Sequence, residues 1–170
     1  MNYRKVHRLK PEYYSQNGSF FITVCARDRR CIFSDIVGAL HEAPVILLKP
    51  YGQIVESVIC QLPQKYDIKI DQYVIMPNHI HLLLSIDRPY ENGSIRESTL
   101  HRRSDISKII GYLKMNVTKE IHRFAPTEKV FQRSFHDHIV RGQHDYEEIR
   151  DYIDKNPAKW LQDRFYSQLE

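Results

Sequence analysis

Hydrophobic positions change period several times along the chain, and each change marks an element. Ser19 to Ala26 is β-branched and aromatic and follows Gly18, which predicts a strand. Ala43 to Pro50, punctuated by its prolines, predicts a short edge strand. From Gly52 the period becomes helical. Ile54, Val55, Val58, Ile59 and Leu62 share a stripe that Pro63 ends or kinks. Two strands are expected next, over Asp67 to Met76 and His79 to Ile86, with Pro77 and Asn78 as the turn between them. Residues 87–103 are polar and contain glycine, as a loop does. A second helix starts near Ser104, with Ile106, Ile110, Leu113, Val117 and Ile121 on one face, and Pro126 closes it. Val130 to Val140 predicts a strand. The last helix begins at Asp145, a good N-cap with Glu148 in the capping-box position. It stops at Asn156, because Pro157 disfavours helical geometry in the residue before it.

The order is strand, helix, strand, strand, helix, strand, and one extra helix. This is the α+β class: a ferredoxin-like, split β-α-β antiparallel sheet with helices on one face, plus a C-terminal helix that carries a tyrosine. The other sheet face is open to a ligand unless something covers it. A chain of 170 residues fits one domain spanning 1–170.

Composition narrows the class of function. The three cysteines, Cys25, Cys31 and Cys60, are scattered and never spaced as CxxC, which argues against a disulfide framework and fits a reducing cytoplasm. The basic start from Met1 to Lys10 has no apolar run, and no later segment is apolar enough to span a membrane. The formal charge is only +4, but its distribution is uneven. Arg4, Lys5, Arg8 and Lys10 lie together, as do Arg27, Arg29 and Arg30, and then Arg102 and Arg103. Such clusters suit phosphates and equally suit a solvated face.

The candidate chemistry lies in two places. In the strand around Met76-Pro77-Asn78-His79-Ile80-His81, side chains alternate, so His79 and His81 share a face while Ile80 enters the core. Two imidazoles side by side can ligate one divalent cation. By spacing alone, two polar residues on a solvated face fit as well. In the last helix Tyr146, Ile149 and Ile153 form the buried stripe, and Tyr152 and Asn156 stack one turn apart at its edge. A tyrosine there can also simply cover the core. His136 and His138 repeat the alternating spacing and are a rival metal pair, set in a less apolar strand.

Taken together, these segments resemble the REP-associated tyrosine transposases, part of the single-tyrosine HUH transposase superfamily of bacterial insertion sequences. His79-Ile80-His81 fits the histidine-hydrophobe-histidine motif, and Met76-Pro77-Asn78 before it is typical of the family. The likeness extends over most of the chain. It takes in the strand and arginine turn from Phe20 to Arg30, Phe131-Gln132-Arg133-Ser134-Phe135 with Asp137 and His138, and Asp151-Tyr152-Ile153 with Asn156-Pro157. The resemblance implies Mg²⁺ or Mn²⁺ held by His79, His81 and Asn156, and Tyr152 as a nucleophile that leaves a 5′-phosphotyrosine. It also implies single-stranded DNA beside a hairpin, such as a palindromic repeat, as substrate. Both a monomer and a homodimer are compatible with it, since some relatives build each active site from two chains. Arg29, Arg30, Arg102 and Arg103, with Lys108 as a weaker candidate, are placed on the DNA by charge and not by motif. Two other classes fit the same fold: a non-catalytic nucleic-acid-binding module and a metal-dependent nuclease that activates water.

Overall fold

The computed structural model describes residues 17–38, 44–87, 105–163 and 166. In chain order its elements are β1 (Gly18–Cys25), β2 (Ser34–Val37), β3 (Val45–Leu48), α1 (Pro50–Lys65), β4 (Lys69–Ile75), β5 (His79–Ile86), α2 (Asp105–Ile121), β6 (His136–Ile139) and α3 (Gly142–Lys155). Four strands form one antiparallel sheet in the order β4-β5-β1-β6. That is the ferredoxin-like order, with α1 and α2 as the two crossovers.

Register explains which face each residue takes. Phe20 pairs with Leu84, Ile22 with Leu82 and Val24 with Ile80, and directly paired residues share a face. All six point toward α1 and α2, where they enter one apolar core with Val55, Ile59 and Leu62 of α1 and Ile106, Ile110 and Leu113 of α2. Each such side chain contributes roughly 1.5–3 kcal/mol by burial. The period of two then forces His79, His81 and Leu83 onto the opposite face.

That opposite face is covered in part by α3. Ile149 and Ile153 pack on Val74, Met76 and Leu83. Polar ties fasten the helix to β4: Gln72 donates to Asp154, and Arg150 Nε donates to Gln72 Oε1 at 3.4 Å. The expected single-faced helical layer therefore holds for α1 and α2, and the extra helix closes over the second face.

Several local expectations are corrected. α1 does not end at Pro63 but runs to Lys65: the proline forgoes one N–H bond, and the Tyr66 N–H still closes the last turn on the Leu62 carbonyl at 2.9 Å. β3 is not an edge of the main sheet; it pairs with β2, which the sequence pattern missed, in a separate two-stranded sheet. β6 is shorter than Val130 to Val140, and upstream of it Phe131 makes only an isolated bridge with Ala26. α3 begins at Gly142, so Asp145 is not its N-cap but sits within the first turn. Its carboxylate reaches back to accept from the Arg141 backbone N–H at 2.7 Å and from His138 Nε2 at 2.9 Å. Asn156 keeps helical angles (φ −58°, ψ −44°) despite Pro157, and the chain continues directly into a 3₁₀ helix over Pro157–Gln162.

α1 starts against the segment before β2. Gly52 is obligatory there, since a Cβ would lie 2.0 Å from the Phe33 carbonyl oxygen. No helix among the described residues is long and apolar enough to cross a membrane.

Candidate active site

The buried polar side chains among the described residues are Thr23, Ser34, Asn78, His79, His81 and Asn156. All but Ser34 converge on one place, at the His79 end of β5 beneath α3. A desolvated polar group is costly unless it is paired, so the convergence calls for a chemical reason.

The pairing begins in the turn after β1. Asp28 and Arg29 both have φ of 55°, a left-handed conformation that non-glycine residues adopt at a cost of order 1 kcal/mol. In this turn the Arg29 carbonyl accepts from Asn78 Nδ2 at 3.2 Å. A carbonyl only accepts, so the amide orientation of Asn78 is fixed and its Oδ1 faces His79 Nδ1 at 2.9 Å. His79 Nδ1 is therefore the donor in this contact, and in the neutral ring that leaves Nε2 bare. On the neighbouring strand Thr23 Oγ1 meets His81 Nδ1 at 2.9 Å, which turns His81 Nε2 the same way. The two Nε2 atoms face each other at 3.0 Å. Two bare ring nitrogens so close would repel unless a proton or a cation lay between them.

Further oxygen donors stand nearby. Ligand atoms of His79, His81 and Asp163 all lie within 4.8 Å of one another. Asn156 Nδ2 donates to Asp163 Oδ2 at 3.3 Å, and Asn156 Oδ1 is buried without a hydrogen-bond partner among the described residues. Two imidazoles, a carboxylate and an unsatisfied amide oxygen suit a divalent cation such as Mn²⁺, and also Mg²⁺, which favours oxygen.

Tyr152 completes the group. Its hydroxyl lies 3.4 Å from His81 Nε2, and its ring packs edge-on against Phe21 at 5.9 Å between centroids. The side chain is 39% exposed, so the phenol bridges the buried histidines and solvent. On the far side Trp160, in the 3₁₀ helix, stands 6.1 Å from His79. Nucleophile candidate and histidine pair thus meet within a single chain.

The sequence-derived residues divide into three groups. His79, His81, Tyr152 and Asn156 come together. Arg29, Arg30 and Lys108 do not join them: the Arg29 carbonyl serves Asn78, Arg30 pairs with Glu128 and donates to the Lys129 carbonyl at 3.0 Å, and Lys108 pairs with Asp105 at 2.9 Å. Glu128 beside it raises the Arg30 pKa above its ordinary value. Arg102 and Arg103 lie outside the described residues. Of the rival histidines, His136 shares a face with Thr23 and His81 two strands from β5, and His138 is held by Asp145. Asp163 was missed, since nothing in the spacing of residues beyond Pro157 marks it.

Comparison with known proteins finds relatives along the chain. Residues 20–95 match the family described as "Transposase IS200 like". A Haemophilus influenzae protein described as uncharacterized is 29% identical over 98% of this chain and 94% of its own length. A putative REP-associated tyrosine transposase from the same organism is 26% identical, over 86% of this chain and 73% of its own. The REP-associated tyrosine transposase of Escherichia coli is 22% identical over 86% of this chain and 70% of its own length. Among solved structures, a REP-associated tyrosine transposase bound to a REP hairpin superposes with a TM-score of 0.61 at 23% identity, covering 94% of this chain and 73% of that one. The chain is thus similar over residues 20–95 to the IS200-like transposase family, and along most of its length to REP-associated tyrosine transposases.

Proposed function

We propose that this protein cleaves and rejoins single-stranded DNA beside hairpins, with Tyr152 as the nucleophile. The observation that carries the reading is the Tyr152 hydroxyl 3.4 Å from His81 Nε2, which itself faces His79 Nε2 at 3.0 Å. The names of the relatives support transposase chemistry, and the structural neighbour solved with a REP hairpin supports hairpin-flanked DNA as the substrate.

A divalent cation, Mg²⁺ or Mn²⁺, bound by His79, His81 and oxygens from Asp163 and Asn156 would polarise a phosphate oxygen and withdraw charge from the phosphorus. The chain's own residues do the rest. Asn78 and Thr23 hold the imidazoles with their Nε2 atoms turned inward. Asn156 orients the Asp163 carboxylate. Phe21 supports the Tyr152 ring edge-on.

The Tyr152 oxygen attacks phosphorus, and the bond from phosphorus to the 3′ oxygen breaks. The phenol loses its proton and the departing oxygen gains one, leaving a 5′-phosphotyrosine and a free 3′-hydroxyl. A phenol, with a pKa of about 10, leaves more readily than an aliphatic alcohol. A DNA 3′-hydroxyl can therefore displace Tyr152 in the reverse sense, and joining needs no ATP.

The test is incubation with hairpin-flanked single strands and Mn²⁺, followed by a denaturing gel. The wild-type protein is expected to give a covalent protein–DNA adduct. Tyr152→Phe is expected to lose it while still binding DNA. Cutting without an adduct in both proteins would point instead to a nuclease that activates water. Binding with no cutting across a hairpin panel would point to a non-catalytic module.

A further inference from the structure

Cleavage by Tyr152 calls for a proton at the opposite end of the breaking bond. The 3′ oxygen departs as an aliphatic alkoxide, a much poorer leaving group than a phenolate, unless an acid protonates it as it goes. His136-Asp137-His138, the second alternating histidine pair, stands at the right edge of the site to supply one.

β6 presents its two histidines to the same sheet face, in different company. His138 pairs with Phe21, and its Nε2 lies 2.9 Å from Asp145 Oδ2, so it is engaged in fastening the start of α3. His136 pairs with Thr23, and Thr23 pairs in turn with His81. His81, Thr23 and His136 therefore form one row across β5, β1 and β6, on the face that α3 partly covers. Asp137 pairs with Ile22 and takes the other face.

The row gives the reaction a direction. α3 packs on Val74 and Leu83, over β4 and β5, so Tyr152 enters from that side, its hydroxyl 3.4 Å from His81 Nε2. His136 stands on the opposite flank, two strands from His81, a span of roughly 10 Å between backbones. Attacking oxygen, phosphorus and leaving oxygen lie roughly in line during phosphoryl transfer. A phosphate seated over Thr23 and attacked from the Tyr152 side turns its 3′ oxygen toward β6, where half-buried His136 meets it. The neighbouring ionisable groups have other tasks. His81 Nε2 faces His79, Tyr152 is the nucleophile, and Glu148, one turn before Tyr152, pairs with His144 at 3.4 Å. Histidine, with an unperturbed pKa of about 6.5, both gives and takes a proton near neutrality.

We propose that His136 is the catalytic acid of cleavage and the base of rejoining. Its protonated imidazole gives a proton to the departing 3′ oxygen. The neutral ring then takes the proton of the 3′-hydroxyl that attacks the phosphotyrosine. The phenol proton goes to solvent in the first step and returns from it in the second. The proposal rests on the function proposed above.

The test compares two hairpin-flanked strands in Mn²⁺: an unmodified one, and one with sulfur in place of the 3′-bridging oxygen at the cleavage position mapped with the wild type. A thiolate leaves without a proton, since a thiol has a pKa of only about 8.5. On the unmodified strand His136→Gln is expected to slow adduct formation by about 10²- to 10⁴-fold, the usual contribution of acid–base catalysis. On the sulfur strand it is expected to match the wild type. His136→Asn is expected to repeat both results, and Tyr152→Phe to form no adduct from either strand. Mn²⁺ affinity, by calorimetry, is expected to stay at the wild-type value in His136→Gln. Equal slowing on both strands makes His136 structural, and lost Mn²⁺ affinity makes it a ligand; either overturns the proposal. So does a wild-type rate on the unmodified strand, which leaves the function standing. A wild-type protein that forms no adduct from either strand sinks the function, and this proposal with it.

Discussion

Asn78 is the residue on which the orientation of His79 depends. It is almost fully buried, and its amide is fixed at both ends, by the Arg29 carbonyl and by His79 Nδ1. Asn78→Ala removes no ligand but frees the His79 ring to rotate or change tautomer. Loss of such a supporting hydrogen bond ordinarily weakens metal affinity by about 10- to 100-fold. That drop is expected for Mn²⁺ by calorimetry, with Asn78→Asp, which keeps the acceptor, falling less. The sequence made His79 and His81 legible because strand alternation is local and strict. It concealed the Arg29 contribution, because a charged side chain drew attention while the backbone carbonyl did the work. Asp163 was equally concealed, since it reaches the histidines only through the fold of the 3₁₀ helix.

Among the elements, α3 matters most, since it carries Tyr152 over the histidines. Its N-terminus is tied by the Asp145 carboxylate to the Arg141 N–H and to His138. The Arg141 N–H first, and His138 second, hold the Asp145 pKa below the ordinary carboxylate range. A carboxylate depressed in the folded state adds stability above its ordinary pKa and loses it as pH falls through the depressed value. Asp145→Ala is therefore expected to lower stability in urea by about 1 kcal/mol at pH 7. The gap to wild type should narrow as pH falls below about 4, where Asp145 of the unfolded chain protonates first and that of the folded chain follows. The helix itself was legible from Ile149 and Ile153. Its true start was not, because an aspartate that reaches backward from inside the first turn looks in sequence like one that caps it. Its end misled for a related reason. Pro157 excludes only a continued α-helical hydrogen-bond ladder, and Asn156 stays helical to enter a 3₁₀ turn.

Across the whole molecule, the sheet order followed from the alternation of strands and helical stripes, which is why the ferredoxin-like arrangement was readable. The covering of the second face was not, since one amphipathic helix has no period that says which sheet face it will meet. Because α3 folds back on its own sheet, Tyr152 and the histidines belong to one chain. Mixing Tyr152→Phe protein with His81→Ala protein is therefore expected to give no more adduct than either alone. Recovery of adduct in the mixture would mean that the helix exchanges between two copies.

Trp160 is the chain's single tryptophan, and it stands beside His79. Its emission is thus a native optical signal from the candidate active site, requiring no label. Mn²⁺ is paramagnetic, so titrating it should quench that emission in the wild type and leave it bright in His79→Ala. A fluorimeter alone would then follow occupancy of the site during turnover, step by step with the formation and resolution of the DNA adduct.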